Sequence, residues 1–147
     1  MSKGMRPFSV CHRGLPILLK QRTFPPENLK LDGERDMELA FDDFLKVDIR
    51  VGTVINAEPY PEARVPAIKL WVDFGDDIGE RKTSAQITRH YEPKDVIGRQ
   101  VVAVVNFPPK QIGKFMSECL VLGIPDDDGD VVLLAPDKAV PDGGRMY

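Results

Sequence analysis

From residue 47 onward the chain is built of short runs in which apolar and polar residues alternate, separated by glycine, proline and aspartate. In the first run, Val47, Ile49 and Val51 alternate with Asp48 and Arg50. A period of two places one set on the core side of a strand and the other on the solvent side, so each run predicts a β-strand. The predicted strands cover 47–55, 68–74, 81–87 and 101–105, and a closing hairpin covers 117–124 and 131–134.

The residues between the strands predict how they are connected. Residues 92–97 predict a short helix, because proline is tolerated in a first helical turn and Gly98 suits the position after its end. Pro108 and Pro109 cannot donate ladder hydrogen bonds and therefore end the fourth strand, while Gly52 within the first strand predicts a bend or bulge. Five short strands with a small helix between the third and fourth is the order of an OB-fold, so we predict an all-β, five-stranded barrel.

Residues 1–36 follow no such pattern. Four prolines interrupt them, and the apolar patch at residues 15–19 is shorter than the core of a secretory signal. We therefore predict a weakly basic, flexible N-terminal extension before a domain of residues 37–147; translation beginning at Met37 is the alternative. No run reaches the roughly 18 apolar residues of a spanning helix, so no membrane span is predicted.

The formal net charge of −3 conceals an uneven distribution of charged residues. Residues 81–114, here termed the basic island, contain seven Lys/Arg and two Asp/Glu, whereas residues 37–80 contain four and ten. Residues 115–147 contain two and seven. A polyanion responds to local potential rather than to the total charge, so the basic island indicates a nucleic-acid partner. The alternative is that short windows of any charged chain vary in sign.

Few residues are available for catalysis or metal binding. Cys11 and Cys119 form no CxxC pair, which is typical of unpaired thiols in a reducing cytoplasm. His12 and His90 supply little for a metal site, and a surface or phosphate-contact role is expected of His90. Residues 126–130 lack the ligand spacing of a calcium loop, so a hairpin turn is expected there. The sequence has no nucleotide-binding or hydrolase motif, and we predict no metal, no cofactor and no enzymatic activity.

Several motifs resemble one family of RNA-binding modules. Residues 47–52, VDIRVG, resemble the opening of stand-alone tRNA-binding domains, which are OB-folds also fused to some aminoacyl-tRNA synthetases. Further motifs resemble the CsaA proteins, described as export-related chaperones: PEAR at 61–64, SAQIT at 84–88, VVNFPPK at 104–110, MSE at 116–118, VVLL at 131–134 and PDG at 141–143. The resemblance runs from about residue 41 to residue 147.

This resemblance implies a homodimer of OB-folds without enzymatic activity. The wider family binds the outer corner of tRNA through its shape. The CsaA branch is thought to hold unfolded or precursor proteins on their way to secretion. The implied partners are therefore tRNA or, as the alternative, precursor proteins and the export machinery.

The candidate RNA-binding residues combine the basic island with a family pattern. They are Arg81, Lys82, Ser84, Arg89, Arg99, Asn106, Lys110, Lys114, Ser117 and Glu118. The resemblance assigns Asn106, Lys110, Ser117 and Glu118 to the RNA-facing surface; alternatively, Asn106 and Ser117 hydrogen-bond the Pro108–Pro109 turn. Because residues 37–147 contain thirteen Lys/Arg and nineteen Asp/Glu, the sequence favours weak, shape-selective binding confined to one face.

A protein-binding surface needs exposed apolar residues. Trp71 lies on the Lys69–Asp73 side of its strand, opposite the core-facing residues, and Phe107, Phe115 and Met116 flank the double proline. These four residues are the candidates for protein contact. A dimer interface is the favoured interpretation for Trp71, since apolar residues outside a barrel commonly bury against a second subunit, and a client site along the same seam stays open.

Overall fold

The computed structural model describes residues 38–147, in which strands predominate and the helices are short. In chain order the elements are α1 (Phe41–Leu45), β1 (Ile49–Tyr60), β2 (Ala67–Asp73), β3 (Glu80–Ala85), α2 (Pro93–Val96), β4 (Gln100–Val104), β5 (Lys110–Ile112), β6 (Phe115–Ser117), β7 (Leu120–Val121), β8 (Gly123–Pro125) and β9 (Val131–Leu133). The predictions of a flexible extension at 1–36, of a start at Met37 and of an unpaired Cys11 lie outside the described residues.

One five-stranded antiparallel sheet, in the order β3-β2-β1-β4-β7, organises the domain. The long β1 makes this possible, because its residues 53–60 pair with β2 while its residues 49–53 pair with β4. The sheet curls into a half-barrel whose two end strands are bridged by Glu118: its backbone N–H donates to the Lys82 carbonyl at 2.8 Å. This architecture confirms the predicted all-β fold of the OB type.

A tail at residues 142–146 completes the first part of β1. Gly143 N–H donates to the Val51 carbonyl at 2.7 Å, and Met146 N–H donates to the Ile49 carbonyl at 2.8 Å. The tail thus occupies the edge of β1 that β2 leaves free. Gly143 has φ +85°, and a Cβ there would lie 2.4 Å from the Phe74 carbonyl oxygen, so the tail can approach this closely only with glycine.

The irregularity in β1 lies beyond the glycine that was expected to mark it. The register with β2 shifts between Val54 and Asn56. A Cβ on Gly52 would lie 2.7 Å from side-chain atoms of both Phe74 and Val72. Gly52 therefore serves close packing of the neighbouring strand rather than the bulge itself.

The predicted helix and the predicted end of the fourth strand are both confirmed. In α2 the Glu92 N–H donates to the Asp95 carboxylate at 3.0 Å, and Gly98 takes φ +85° after the end of the helix. β4 ends at Val104, before the two prolines.

The segment that closes the fold is divided into more and shorter strands than predicted. The expected strand at 117–124 consists of separate pieces, because its backbone changes partner: residue 118 bonds β3, β7 pairs with β4, and β8 pairs with β9. The hairpin of β5 and β6 was not predicted at all. Its turn is Gly113-Lys114, and Gly113 has φ +61°, which is a recognisable two-residue hairpin signal.

The core has a main cluster and a smaller one. Leu70, Val72 and Phe74 are fully buried in the main cluster, which also contains the Cys119 thiol. Burial raises the pKa of that thiol to about 12. Tyr60 and Phe115 belong to the smaller cluster on the other face of the sheet. Within residues 38–147, no helix is both long and apolar enough to cross a membrane.

Candidate nucleic-acid interface

The outer face of β2 and β3 carries two lysines. Because side chains alternate along a strand, Lys69 and Trp71 lie on the side opposite buried Leu70. On β3, Lys82 and Ser84 lie on the same outer face, with Lys82 paired to Trp71 and Ser84 paired to Lys69 in the register. The strand pairing thus gathers these side chains into one patch.

Aromatic rings support both lysines of this patch. The ammonium groups of Lys69 and Lys82 each lie 5.5 Å from the centre of the Phe115 ring, and Lys69 also lies 4.7 Å from the Tyr60 ring. Trp71 meets Phe115 edge-on at 6.0 Å. Cation–π contacts of this kind contribute about 0.5–1 kcal/mol each at exposed sites and hold the ammonium groups in place.

The β5–β6 hairpin adds Lys110 and Lys114, whose side chains are exposed. The Tyr60 hydroxyl fixes this hairpin, because it donates to the Ile112 carbonyl at 2.7 Å and accepts from the Lys114 N–H at 3.1 Å. We call Lys69, Lys82, Lys110 and Lys114 the lysine face. Within the part of the chain that the structure describes, none of the four forms an ion pair with a carboxylate.

Three other cations of the basic island have partners among the described residues. Arg89 lies 3.4 Å from the Asp130 carboxylate, and Lys94 lies 2.9 Å from that of Glu92. The hydrogen bond to Glu92 raises the pKa of Lys94. Arg99 stacks on the Tyr91 ring at 5.6 Å. We call Arg89, Lys94 and Arg99 the arginine side. The basic island is therefore divided: Lys82, Lys110 and Lys114 form no ion pair among the described residues, whereas Arg89 and Lys94 do.

Arg81 differs from both groups. It lies opposite buried Val72 in the register and on the same side of β3 as buried Thr83, so its side chain starts toward the core. Its Nε is buried without a hydrogen-bond partner among the described residues. Arg81 is therefore not part of the lysine face.

The family-pattern residues other than Lys110 are engaged in internal hydrogen bonds. The Asn106 side chain accepts from the Asp48 N–H at 3.0 Å and donates to the Lys46 carbonyl at 2.7 Å. Ser117 donates to the Cys119 carbonyl at 3.1 Å. The Glu118 carboxylate accepts from the Lys82 N–H at 3.1 Å. Asn106 and Ser117 thus have structural partners, but these lie elsewhere than the Pro108–Pro109 turn.

The four candidates for protein contact are not equally accessible. Phe115 is only 9% exposed and lies beneath the two lysines, and Trp71 is half-buried against it. Phe107 and Met116, by contrast, are 53% and 39% exposed. The apolar rim expected around the double proline therefore lacks Phe115.

Sequence reasoning did not select Lys69 and Tyr60. Lys69 falls in an acidic window, so a count of charges along the chain conceals it. The signal that could have found it is the alternation of residues 68–74, which places Lys69 beside Trp71 on the outer face.

One further cluster contains atoms of the kinds that bind metals. His90, Asp126 and Asp130 bring a ring nitrogen and two carboxylate oxygens within 4.8 Å of one another. His90 lies 2.7 Å from Asp126, and Asp126 also accepts from the Asp130 N–H at 2.9 Å. These bonds fix the turn between β8 and β9, and no observation points to a bound ion there.

Comparison with known proteins gives a consistent result. A family model described as "Putative tRNA binding domain" matches residues 49–145. The chain is 54% identical to the chaperone CsaA of Bacillus anthracis, with a TM-score of 0.70 over 75% of this chain and 99% of that one. It is 47% identical to the CsaA chaperone protein of Picrophilus torridus, with a TM-score of 0.69 over 75% and 100%.

Longer proteins contain a related segment. The methionine–tRNA ligase of Porphyromonas gingivalis is 36% identical over 74% of this chain. The chain spans only 16% of the length of that ligase, so the similarity concerns one part of the ligase.

Proposed function

Because the chain belongs to the tRNA-binding domain family and is of the CsaA type, we propose that it binds folded tRNA through the lysine face. The observation that carries this proposal is the absence of ion pairs at Lys69, Lys82, Lys110 and Lys114 within residues 38–147. An ammonium group without a carboxylate partner is available to replace the counterions of a phosphate.

The proposed recognition is of shape and charge rather than of sequence. Aromatic rings hold Lys69 and Lys82, and the Tyr60 hydroxyl fixes the backbone of the hairpin that carries Lys110 and Lys114, which suits contacts to the phosphates of a folded RNA. Since the remainder of the domain is acidic, affinity is expected to be modest and strongly dependent on salt. The proposal assigns the chain no catalytic step.

We further propose that the chain forms a homodimer in the cytoplasm, where tRNA is found. Exposed apolar side chains on and beside α1 support this: Phe41 is 65% exposed, and Leu45 and Val47 are 38% exposed. Burying them against a second copy would remove apolar surface from water. Two lysine faces on one body would then engage one tRNA with a gain in effective concentration.

The test compares two matched double variants. Lys110→Gln with Lys114→Gln neutralises two exposed residues of the lysine face, and Arg89→Gln with Lys94→Gln neutralises two of the arginine side. Binding of bulk tRNA is measured by fluorescence anisotropy at several salt concentrations. The first variant should lower affinity and reduce the salt slope by about 2, whereas the second should leave both unchanged. Equal effects of the two variants would overturn the proposal.

A second candidate function is holding unfolded or precursor proteins for secretion. It is favoured by the exposed apolar residues Phe107 and Met116 and by the chaperones among the similar structures. Suppression of aggregation of an unfolded client tests it: Phe107→Ala with Met116→Ala should abolish suppression, and the lysine variants should not.

A further inference from the structure

A groove of about 450 Å³ opens beside the lysine face. Its walls are Phe107, Pro108, Pro109, Lys110, Ser117, Cys119 and Leu120. Phe107 and Leu120 are 53% and 49% exposed, so two large apolar side chains face the groove or its rim without being covered within the described chain. Contacts between lysines and phosphates do not require exposed apolar side chains, so the proposed function does not explain this groove.

The groove is continuous with the lysine face. Lys110 and Ser117, which are directly paired across the β5–β6 hairpin, both line it. The same hairpin carries Lys114 at its turn and Phe115 beneath Lys69 and Lys82. An RNA backbone following the lysines is therefore brought to the groove at Lys110.

We propose that this groove receives one unpaired nucleobase of the bound RNA, stacked on Phe107, while Lys110 contacts an adjoining phosphate. Single-stranded nucleotides are recognised by an aromatic or apolar surface next to a cation, and the groove has both. No carboxylate lines it, so nothing there opposes a polyanion. The inference rests on the proposed function and adds to it that an unpaired base, and not only a folded shape, is recognised.

The experiment uses two RNAs: a blunt duplex, and the same duplex with one unpaired 2-aminopurine nucleotide. The full chain is compared with Phe107→Ala, with Leu120→Ala on another wall, and with Ile124→Ala, an exposed apolar residue of β8 outside the groove. We expect Phe107→Ala to weaken binding of the second RNA roughly tenfold and to leave the blunt duplex unchanged. The 2-aminopurine fluorescence should fall on binding to the full chain and fall less with Phe107→Ala. Ile124→Ala should change neither.

The outcomes separate this inference from the proposed function. The double variant Lys110→Gln with Lys114→Gln is expected to weaken binding of both RNAs. If it does so but neither Phe107→Ala nor Leu120→Ala weakens binding of either RNA, the groove proposal is overturned and the proposed function stands. If the unaltered chain binds bulk tRNA but neither of these RNAs, this inference alone is overturned. If it does not bind bulk tRNA either, the proposed function fails and this inference fails with it. Conversion of a dimer to a monomer by Phe107→Ala, or loss of client binding alone, would assign the groove to a second copy or to a polypeptide and overturn the proposal.

Discussion

The lysine face and the arginine side come largely from one basic stretch of sequence but differ in what lies opposite their charges. On the lysine face, Lys69 and Lys82 rest on the Phe115 ring, a neutral partner that holds an ammonium group without cancelling its charge. On the arginine side, Arg89 and Lys94 lie beside Asp130 and Glu92. The comparison shows that one basic stretch of sequence can supply both cations that rest on uncharged rings and cations that are paired with carboxylates, depending on what the fold places beside them.

The largest expected effect comes from removing the central support of the lysine face. Phe115→Ala should lower the free energy of unfolding by about 3–5 kcal/mol, because the ring is buried and its loss leaves a cavity. At a temperature where the variant remains folded by circular dichroism, tRNA affinity should also fall, since Lys69 and Lys82 lose their ring. Unchanged affinity in the folded variant would show that the rings do not position the lysines.

A substitution in the core beneath both regions should change the stability of the domain and leave the difference in tRNA binding between the lysine face and the arginine side unchanged. The pKa of the Cys119 thiol is raised to about 12 in the folded chain from an ordinary value of 9.0. Between these pH values the unfolded chain loses a proton that the folded chain keeps, so stability falls by about 1.4 kcal/mol per pH unit as pH rises.

Cys119→Ala removes this dependence. Urea unfolding at several alkaline pH values should give a shallower decline for the variant than for the unaltered chain, with tRNA binding at neutral pH the same for both. Parallel declines would mean that the thiol titrates normally in the folded state.

A smaller, matched pair of changes removes one hydroxyl from each region. Tyr60→Phe loses the hydrogen bonds to Ile112 and Lys114 and should cost about 1–2 kcal/mol of stability. It should also weaken tRNA binding several-fold, because the β5–β6 hairpin loses its anchor. Tyr91→Phe loses the bond from the Leu133 N–H and should cost about 1 kcal/mol without affecting tRNA binding. Equal effects on tRNA binding would remove the distinction between the regions.

The smallest effect is expected at an exposed ion pair of the arginine side. Arg89→Ala should change the free energy of unfolding by no more than about 0.5 kcal/mol, since its side chain is 77% exposed and its pairing is screened by water. Its tRNA affinity should match that of the unaltered chain in anisotropy titrations. Lys110→Ala, the control, should reduce the salt slope by about 1.

Much of the fold could be predicted because strand alternation and turn residues are local signals. The backbone preferences of proline and glycine are enough to predict α2, from Pro93 and Gly98, and the end of β4, from Pro108. The closing segment could not be predicted in detail, since its breaks depend on partners far along the chain: Glu118 bonds Lys82, and Leu120 pairs with Val104.

The site was less predictable than the fold for the same reason. Lys82, Lys110 and Lys114 could be selected by charge, but what separates them from Arg89 and Lys94 is the identity of their spatial neighbours. Asp130 lies 41 residues from Arg89, so no window of sequence shows that pairing. Lys69 and Phe115 likewise meet only after β2 and β6 have been brought together.

The tail at residues 142–146 has a consequence for how the domain is made. Ile49 and Val51 receive their last backbone partners from Met146 and Gly143, each of which lies more than ninety residues beyond its partner in the sequence. A nascent chain that has left the ribosome only as far as residue 140 therefore still exposes an unsatisfied edge of β1. Completion of the sheet therefore waits until residues 142–146 have emerged, and until then the free edge of β1 can pair with strands of other chains.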